Sequence, residues 1–367
     1  MGYPFVKGMV LAERLYQEGV KPVMARHFPE LRHSAARLGQ GSDTLGYDTP
    51  MSMDHGWGPV LEVYLTPEDH VQYADQIGEV MSHHLPREVA GVPTHFEPTS
   101  NGASRPAPRE SGPIKHGVIC VTISDLVISY RRFNPNHGMT VLDWLTLPQQ
   151  TLRQIRSGQV FYDGLGELEP MRETLHYYPQ DVWYYLLSAQ WDRFDQETSF
   201  MGRCGDVGDY LGSRVLAARL IHHVMNLCFL MEREYAPYSK WFGTAFSELR
   251  CAADLTPVLQ AALNAQTWQE REKHLSQAYQ YLAQMHNTLG ITEPVPTTVG
   301  QFFERPYLVP HAGEIAAAIH EKIATDETKR LPRYLGSIDQ LTDVDCLLRW
   351  TDRRARLLIM YTAGEEG

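Results

Sequence analysis

The sequence has 367 residues, of which 43% are hydrophobic and 21% are charged, so it can build a substantial core and does not have the composition of a globally disordered chain. Its 33 Lys and Arg against 44 Asp and Glu give a formal charge of −11, the reverse of the basic surplus typical of proteins that bind long nucleic acids. The five cysteines are dispersed without a CxxC pair, and no apolar run is long enough to span a bilayer. We therefore expect a cytoplasmic protein with reduced thiols, no membrane span, and one large or two smaller domains.

The first third of the chain predicts a small α/β domain. Apolar residues recur at helical spacing over 4–35, and a Gly-rich stretch follows over 39–58. The runs PVLEVYL (59–65) and HGVICVTISDLVISY (116–130) have the composition of strands. Thr66-Pro67 marks a helix start between them, and the many Pro, Gly and Ser residues of 90–113 predict an exposed loop.

After residue 140 the strand signals nearly vanish and amphipathic stretches dominate. These predict helices over 146–157, 169–193, 196–204, 207–235, 255–264, 267–289, 312–326 and 340–362. The sequence thus predicts an α+β protein, with a small α/β domain containing a mixed sheet over 1–135 and a larger all-helical domain over 136–367.

The stretch GSDTLGYDTPMSMDHGWGP (41–59) has the features of a nucleotide-phosphate site. Gly41 and Ser42 open a turn in which backbone N–H groups can approach a phosphate, because the side chains there are small. Asp54, twelve residues after Ser42, is a carboxylate of the kind that binds Mg²⁺, and His55 can act as a base or a further ligand. The alternative is a plain Gly-rich turn in which Asp54 caps a local bend.

Other carboxylates lie nearby. Asp43 and Asp48 belong to the same loop and are candidates for a missing second metal ligand, although solvated turn residues are the more common case. Glu62 lies on the next strand. Asp125, on the second strong strand, is a candidate third carboxylate, with a solvent-facing strand end as its alternative.

Several blocks resemble an uncharacterised bacterial family, a domain of unknown function classed with nucleotidyltransferase-like proteins. They are the stretch at 41–59 and the blocks at 158–172, 177–191, 202–220, 228–246 and 285–296. More distantly, the chain resembles the polymerase-beta-like superfamily, especially kanamycin nucleotidyltransferase, which pairs a small α/β catalytic domain with a helical one. This resemblance implies Gly41, Ser42 and Asp54 as site residues, while the position of the superfamily's second metal carboxylate holds Gly56.

The predicted helical domain has its own candidates. In EREYAPYSKWFGTAF (232–246), Pro237 breaks or kinks the helix, and aromatic rings stand beside a lysine. Tyr238 is a candidate for stacking on a base and Lys240 for contacting a triphosphate, whereas the alternative is an aromatic helix junction with a solvated lysine.

Further polar residues have a structural and a functional interpretation. Arg203 and Arg214 either bind a phosphate or pair with Asp206 and Asp209. Asp181 is expected to cap a helix. The structural interpretation is favoured for His222, His223 and His286, because adjacent histidines on a helix face different directions and do not form an i, i+4 metal pair.

These features favour an enzyme that transfers a nucleoside monophosphate from Mg-nucleoside triphosphate to a small-molecule acceptor, since the acidic chain suits a small cationic or neutral acceptor better than a polynucleotide. Mg²⁺ is the expected cofactor, and the helical domain is expected to close the cleft. Two alternatives remain open. One is a sensor that binds a nucleotide without turning it over, as Gly56 in place of a carboxylate suggests. The other is a different enzyme on the same scaffold that uses His55 as acid and base.

Overall fold

The structure is a computed structural model that describes residues 3–54, 56–100, 102–123, 138–344 and 356–362. The chain forms two compact units. The first, here the sheet unit, comprises Met1–Met139 and Thr151–His176, and the second, here the helical unit, comprises Thr140–Gln150 and Tyr177–Gly367. The predicted α+β class, with a small α/β part and a mixed sheet before a larger helical part, is confirmed.

The sheet unit is built on a mixed sheet of four strands, β1 (Ser34–Arg37), β2 (Val60–Leu65), β7 (Gly117–Thr122) and β8 (Gln159–Asp163), in the order β7-β2-β1-β8. Strand β1 is antiparallel to both β2 and β8, and β2 is parallel to β7. The return of the chain for β8 differs from the predicted division near residue 135, because VFYD (160–163) pairs with β1 within the same sheet.

Helices cover one face of this sheet. They are α1 (Gly8–Leu15), a π-helical turn (Tyr16–Val20), α2 (Lys21–His27) and α3 (Pro67–His84). Alternate residues of β2, Leu61, Val63 and Leu65, join the core between these helices and the sheet. The intervening residues of β2, Glu62 and Tyr64, therefore belong to the other face.

Local signals explain where these elements begin and end. The Thr66 hydroxyl accepts a hydrogen bond from the Asp69 N–H and caps α3, as predicted. The predicted helix over 4–35 ends at His27, because Ser34–Arg37 pairs with β2. The predicted loop over 90–113 contains short paired strands, β3 (Glu88–Val89) with β4 (Val92–Pro93) and β5 (Phe96–Pro98) with β6 (Ser104–Pro106).

Most of the helices predicted after residue 140 are confirmed, but the predicted helix over 169–193 is interrupted between Thr174 and Gln180, and most of the predicted helix over 340–362 lies outside the described residues. The helical unit begins with α4 (Val141–Thr146) and the first two residues of α5 (Gln149–Ser157). The rest of α5 and all of α6 (Leu168–Thr174) belong to the sheet unit. The helical unit then continues with α7 (Gln180–Glu197), α8 (Phe200–Asp206), α9 (Tyr210–Glu232), α10 (Ser239–Phe246), α11 (Ala252–Asn264), α12 (Trp268–Leu289), α13 (Ala312–His320), α14 (Asp326–Lys329), α15 (Ile338–Leu341) and α16 (Ile359–Thr362). A hairpin of β9 (Gly300–Phe302) and β10 (Arg305–Val309) interrupts them. The predicted break at Pro237 is confirmed, since α9 ends at Glu232 and α10 begins at Ser239.

Helix α9 is long and apolar enough to cross a bilayer, but more than half of its most apolar window is buried inside the protein. A core helix of a folded domain has this pattern. Its N-terminus is capped by Asp209, whose carboxylate accepts a hydrogen bond from the Gly212 N–H.

Glycines of α8 permit close helix packing. A Cβ atom at Gly205 would overlap the Trp268 side chain at the start of α12, and one at Gly202 would crowd Tyr307. The glycines of GRCGDVGDYLGSR in α8 therefore serve contact with other elements of the helical unit.

We predict that Gly205→Ala lowers the free energy of unfolding by about 1–3 kcal/mol, because the added methyl group overpacks against Trp268. Gly243→Ala in α10 is the matched control, since nothing lies within 4 Å of its Cβ position. Alanine favours the helix there, so the control should gain about 0.5–1 kcal/mol. Urea unfolding of both variants measures the difference, and equal effects would contradict the packing account.

Candidate functional site

The Gly41–Ser42 stretch forms a compact turn directly after β1. The Tyr47 N–H donates to the Ser42 carbonyl (2.9 Å), and the Gly46 N–H donates to the Asp43 carbonyl (3.0 Å). The Thr44 hydroxyl donates to the Gly41 carbonyl at 2.8 Å, which fixes the start of the turn from within.

A buried arginine forms the base of this turn. The Arg37 side chain, at the end of β1, donates from Nε to Asp43 Oδ2 (2.9 Å) and from Nη1 to Glu62 Oε1 (2.8 Å). Its Nη2 donates to the carbonyl of Gln40 at 2.9 Å. The other carboxylate oxygen of Glu62 accepts from the Leu38 N–H at 3.2 Å. One guanidinium group thus joins the turn to β2.

Burial and the attraction between opposite charges both shift the pKa values of this network. Burial opposes the charge of Arg37, but the attraction of Asp43 and Glu62 outweighs it and raises the pKa of the guanidinium. Burial raises the pKa of Glu62, against the attraction of Arg37. Burial also raises the pKa of the neighbouring Tyr64 hydroxyl well above its ordinary value, so this group stays neutral.

A second ion pair holds the far end of the turn. The buried Asp48 carboxylate accepts from the Gly8 N–H at 2.7 Å and lies 3.1 Å from Lys7 Nζ. Lys7 also donates to the carbonyls of Asp48 (2.6 Å) and Gly46 (3.1 Å). The turn is therefore tied to the start of α1 as well as to the sheet.

The amides at the start of the turn are unused. The N–H groups of Gly41, Ser42 and Asp43 donate to no acceptor in the part of the chain that the structure describes. A Cβ atom at Gly41 would overlap the Asp43 carboxylate and Arg37 Nη2, so only glycine fits while this network is in place. Consecutive free amides on a rigid turn are a typical cradle for an anion.

Asp54 ends a short 3₁₀ helix (Pro50–Asp54), and the residue is exposed. Trp57 and Gly58, which follow in the chain, pack against other parts of the sheet unit. The Trp57 indole N–H donates to the Val6 carbonyl (3.0 Å), and the ring stacks on Tyr3 and Phe5. A side chain at Gly58 would crowd the β5–β6 hairpin.

Strand register places the turn and Asp54 at the same edge of the sheet. In the antiparallel β1–β2 pair, Ala36 lies opposite Glu62, so the end of β1 lies beside the start of β2. The turn leaves β1 at this edge, and Asp54 precedes β2 there. The described end of β7, Thr122, pairs with Leu65 at the other end of β2.

The structure corrects two of the candidate metal ligands. Asp43 and Asp48 are not solvated alternatives to a second metal carboxylate, because they are committed to Arg37 and to Lys7 with the Gly8 amide. Two predicted catalytic residues, His55 and Asp125, lie outside the described residues. Across the described ranges no group of three or more His, Cys, Asp or Glu side chains is placed to hold a metal ion. Of the three described aspartates predicted as metal ligands, Asp43, Asp48 and Asp54, it is Asp54 that is exposed.

The candidates of the helical unit have local roles. Lys240 is exposed, and its Nζ lies 4.9 Å from the ring centre of Trp241, while the Tyr238 N–H donates to Gln150 Oε1 (3.0 Å). Their predicted contacts with a nucleotide stay predictions.

The structure decides the alternatives at several other residues of this unit. Asp206 accepts a hydrogen bond from the Tyr307 hydroxyl, and Asp209 caps α9. Arg214 donates to Gln266. These contacts differ from the predicted pairing of Arg203 and Arg214 with Asp206 and Asp209. Asp181 is not the cap of its own helix. It accepts from the N–H groups of Ala324 and Thr325.

Buried histidines fit the structural interpretation. His286 is buried, and its Nε2 lies 2.8 Å from the Thr292 hydroxyl. Burial lowers the pKa of His286 to about 4 and that of His223 to about 3, so both are neutral at physiological pH.

Sequence reasoning missed the Arg37 network. The signal was present in SAARLGQG (34–41), where a single charge ends a run of small residues, and in PVLEVYL, where a single acid interrupts an apolar strand. Opposite charges on adjacent strands of a predicted sheet, next to a Gly-rich turn, indicate a buried ion pair.

Comparison with known proteins gives a family match over part of the chain. Residues 144–242 match the family model of a domain of unknown function (DUF4037). The predicted resemblance to an uncharacterised family is confirmed over this range, which contains the blocks at 158–172, 177–191 and 202–220 and most of 228–246. The stretch at 41–59 lies outside it.

The chain is also similar to the crystal structure of a nucleotidyltransferase-like protein from Exiguobacterium sibiricum 255-15, with 12% identity, 74% of this chain and 77% of that chain covered, and a TM-score of 0.33. A TM-score of this size does not establish a common fold, and the identity is too low to carry over an activity. No curated protein matches the chain.

We predict that Arg37→Met lowers the free energy of unfolding by about 3–5 kcal/mol, because it leaves the Glu62 and Asp43 carboxylates without their buried counter-charge. Arg14→Met, which breaks an exposed ion pair with Glu18, should cost less than about 1 kcal/mol. Adding Glu62→Gln to Arg37→Met should restore part of the loss. Denaturant unfolding curves measure all three variants. A loss in Arg37→Met no larger than in Arg14→Met would show that the network does not hold the turn.

Proposed function

We propose that the sheet unit binds the phosphates of a nucleoside triphosphate at the Gly41–Asp43 turn. The observation that carries this proposal is the set of three unused N–H groups on a turn that Arg37 and Asp48 hold rigid. Preorganised donors bind an anion without a further cost of ordering the loop, and the buried Arg37 charge lies directly beneath them.

The proposed reaction is transfer of a nucleoside monophosphate to a small acceptor. An acceptor hydroxyl oxygen attacks the α-phosphorus and its proton passes to solvent, the bond from that phosphorus to the bridging α–β oxygen breaks, and pyrophosphate leaves with that oxygen. The turn holds the leaving phosphates in place, and its N–H groups stabilise the charge that develops on them. Positioning and electrostatic stabilisation supply most of the rate in such reactions.

Mg²⁺ is proposed to arrive as part of the substrate, Mg-nucleoside triphosphate. This ion is commonly held by one or two carboxylates together with substrate phosphates and water. We assign this role to Asp54, which is exposed and precedes β2 at the end of the sheet where the Gly41–Asp43 turn lies.

The net charge of the chain and its free thiols support two further parts of this proposal, a small acceptor and a cytoplasmic location. The chain charge of −11 disfavours a polynucleotide acceptor. Cys120, Cys204, Cys228 and Cys251 are free thiols, as a reducing compartment favours.

A second candidate function is nucleotide sensing without turnover. It is favoured by Gly56, which has a φ of +67° and nothing within 4 Å of its Cβ position, where a second carboxylate would be expected. With one carboxylate the site can bind Mg-nucleotide weakly and still fail to activate an acceptor.

We predict that Mg-ATP or another Mg-nucleoside triphosphate raises the unfolding temperature of the wild-type protein, because a ligand that binds only the native state stabilises it. Gly41→Ala should weaken nucleotide binding about tenfold or more, the equivalent of ~1.4 kcal/mol, because the turn must open to fit the methyl group. Gly78→Ala in α3, where nothing lies within 4 Å, is the matched control and should bind as the wild type does. Titration of each protein with ATP, GTP, CTP and UTP tests this, and no shift with any nucleotide would refute the proposal.

Asp54→Asn should remove the Mg²⁺ dependence of that shift while leaving the fold intact, because an amide is a weaker ligand for a hard cation. Asp75→Asn on α3, another exposed acid, is the control. A Mg²⁺ dependence unchanged in Asp54→Asn would show that the ion is held elsewhere.

The two candidate functions are separated by Gly56→Asp. The position is open and Asp tolerates a left-handed backbone better than most residues, so the variant should fold. We predict that Gly56→Asp binds Mg-nucleotide about tenfold more tightly through an added carboxylate, whereas Gly56→Asn, of the same shape but uncharged, does not. Measurable transfer in the wild type, lost in Asp54→Asn, supports the enzyme, and transfer seen only in Gly56→Asp supports the sensor.

A further inference from the structure

A polar cluster lies between two otherwise apolar helices of the helical unit, far along the chain from the Gly41 turn. Helix α7 contributes Gln190, Arg193 and Glu197, spaced three and four residues apart on one face. Helix α9, which packs against α7, contributes Arg219 and His223, one turn apart. We call these five residues the α7–α9 cluster.

Hydrogen bonds fix the protonation state at one end of the α7–α9 cluster. The Gln340 side-chain oxygen accepts from the Ser337 N–H (2.9 Å), so the Gln340 amide nitrogen is the group that donates to Gln190 Oε1 (2.9 Å). Gln190 must then present its own amide nitrogen to His223 Nδ1 at 3.0 Å. His223 therefore accepts at Nδ1 and carries its proton on Nε2.

This neutral histidine adds no charge, and the acid of the cluster is already paired. Glu197 Oε1 accepts from Arg219 Nη2 at 2.6 Å, and its other oxygen lies 3.5 Å from His223 Nε2. Glu197 Oε2 and His223 Nε2 are both buried, and neither has a hydrogen-bond partner among the described residues. Glu197 is thus held between Arg219 and His223.

Arg193 has no hydrogen-bond or ion-pair partner in the described ranges. Five other buried or half-buried arginines have a side-chain hydrogen bond or ion pair; they are Arg37, Arg153, Arg172, Arg271 and Arg333. For Arg193, half-buried on α7, there is none among the described residues. Burial and the nearby charge of Arg219 lower the pKa of Arg193, and Glu197 only partly offsets them.

Departures from the usual pairing of charges concentrate at sites that a ligand completes. Among the described residues, Arg219 and Glu197 are the charged groups that act on Arg193, and Glu197 is paired with Arg219, so these three groups carry one surplus positive charge. Asp343 acts on the neighbouring His222 and is not among the charges that act on Arg193.

We propose that Arg193, with Arg219 beside it, binds the phosphate or carboxylate group of a small anion. The planar guanidinium group offers two parallel N–H donors, which match two oxygens of such a group. This site is independent of the nucleotide site proposed above, since it lies in the helical unit and uses none of the same residues.

The test is calorimetric titration of the full chain with sodium pyrophosphate and, separately, with sodium acetate, each against sodium chloride of equal ionic strength. Arg193→Gln keeps a polar side chain but loses the charge and the fork. Arg330→Gln is the matched control, because Arg330 is an exposed arginine of the same unit whose ion pair with Asp326 is also exposed. We expect wild type to bind at least one of the two anions, Arg193→Gln to bind it about tenfold or more weakly, and Arg330→Gln to bind it as wild type does.

Which anion binds identifies the recognised group, and either result supports the site if it depends on Arg193. No binding to wild type, or equal affinity in Arg193→Gln, would overturn the proposal. Gly41→Ala is included as a further control. Pyrophosphate binding that is lost in Gly41→Ala but kept in Arg193→Gln would place the anion at the turn, which supports the proposed function and overturns this inference.

Thermal unfolding without added anion gives a second, independent readout. A residue that serves the fold should lower the unfolding temperature when it is replaced. An unpaired half-buried charge held for a ligand should not, so Arg193→Gln is expected to unfold at the same or a higher temperature than wild type. A marked loss of stability in Arg193→Gln, but not in Arg330→Gln, would contradict the proposal.

Discussion

The candidate site of the sheet unit depends on one buried charge. Arg37 ends β1 and is held by Asp43 in the turn and Glu62 on β2, so a single guanidinium group fixes the loop to the sheet. A buried ion pair contributes little net stability, because the cost of removing its charges from water offsets most of the attraction. Its value here is geometric. While Asp43 is paired with Arg37, the Gly41, Ser42 and Asp43 N–H groups have no acceptor among the described residues, and glycine is the residue that fits at position 41.

Much of this architecture could be predicted from the sequence. The strand-like composition of PVLEVYL and the Thr66 cap predicted β2 and α3, and long amphipathic stretches predicted the helices of the helical unit, because these signals are local. Strand β8 was missed because VFYD acquires its role from pairing with β1, more than a hundred residues earlier. The fate of Asp43 and Asp48 was missed for the same reason. A carboxylate in a loop looks available until the distant cation that holds it, Arg37 or Lys7, is located in space.

The Gly41–Asp43 turn and the α7–α9 cluster each contain polar groups without a protein partner. At the turn the Arg37, Asp43 and Glu62 side chains are paired, whereas three backbone N–H groups have no acceptor among the described residues. In the α7–α9 cluster, the Arg193 guanidinium has no hydrogen-bond partner among the described residues. Both departures point to anionic ligands in a chain whose overall charge is −11. A net negative charge repels phosphates at long range, so an anion must be bound by hydrogen-bond donors in direct contact with it. The Gly41–Asp43 turn and the α7–α9 cluster offer such donors.

The central claim is that the Gly41, Ser42 and Asp43 amides bind nucleotide phosphate, and amide nuclear magnetic resonance of the ¹⁵N-labelled protein tests it most directly. Spectra recorded with and without Mg-nucleoside triphosphate report on each N–H group separately. The account predicts large shifts and slowed hydrogen exchange at these three amides, since each gains a charge-assisted hydrogen bond. Nucleotide binding that shifts other resonances and leaves these three unchanged would contradict it.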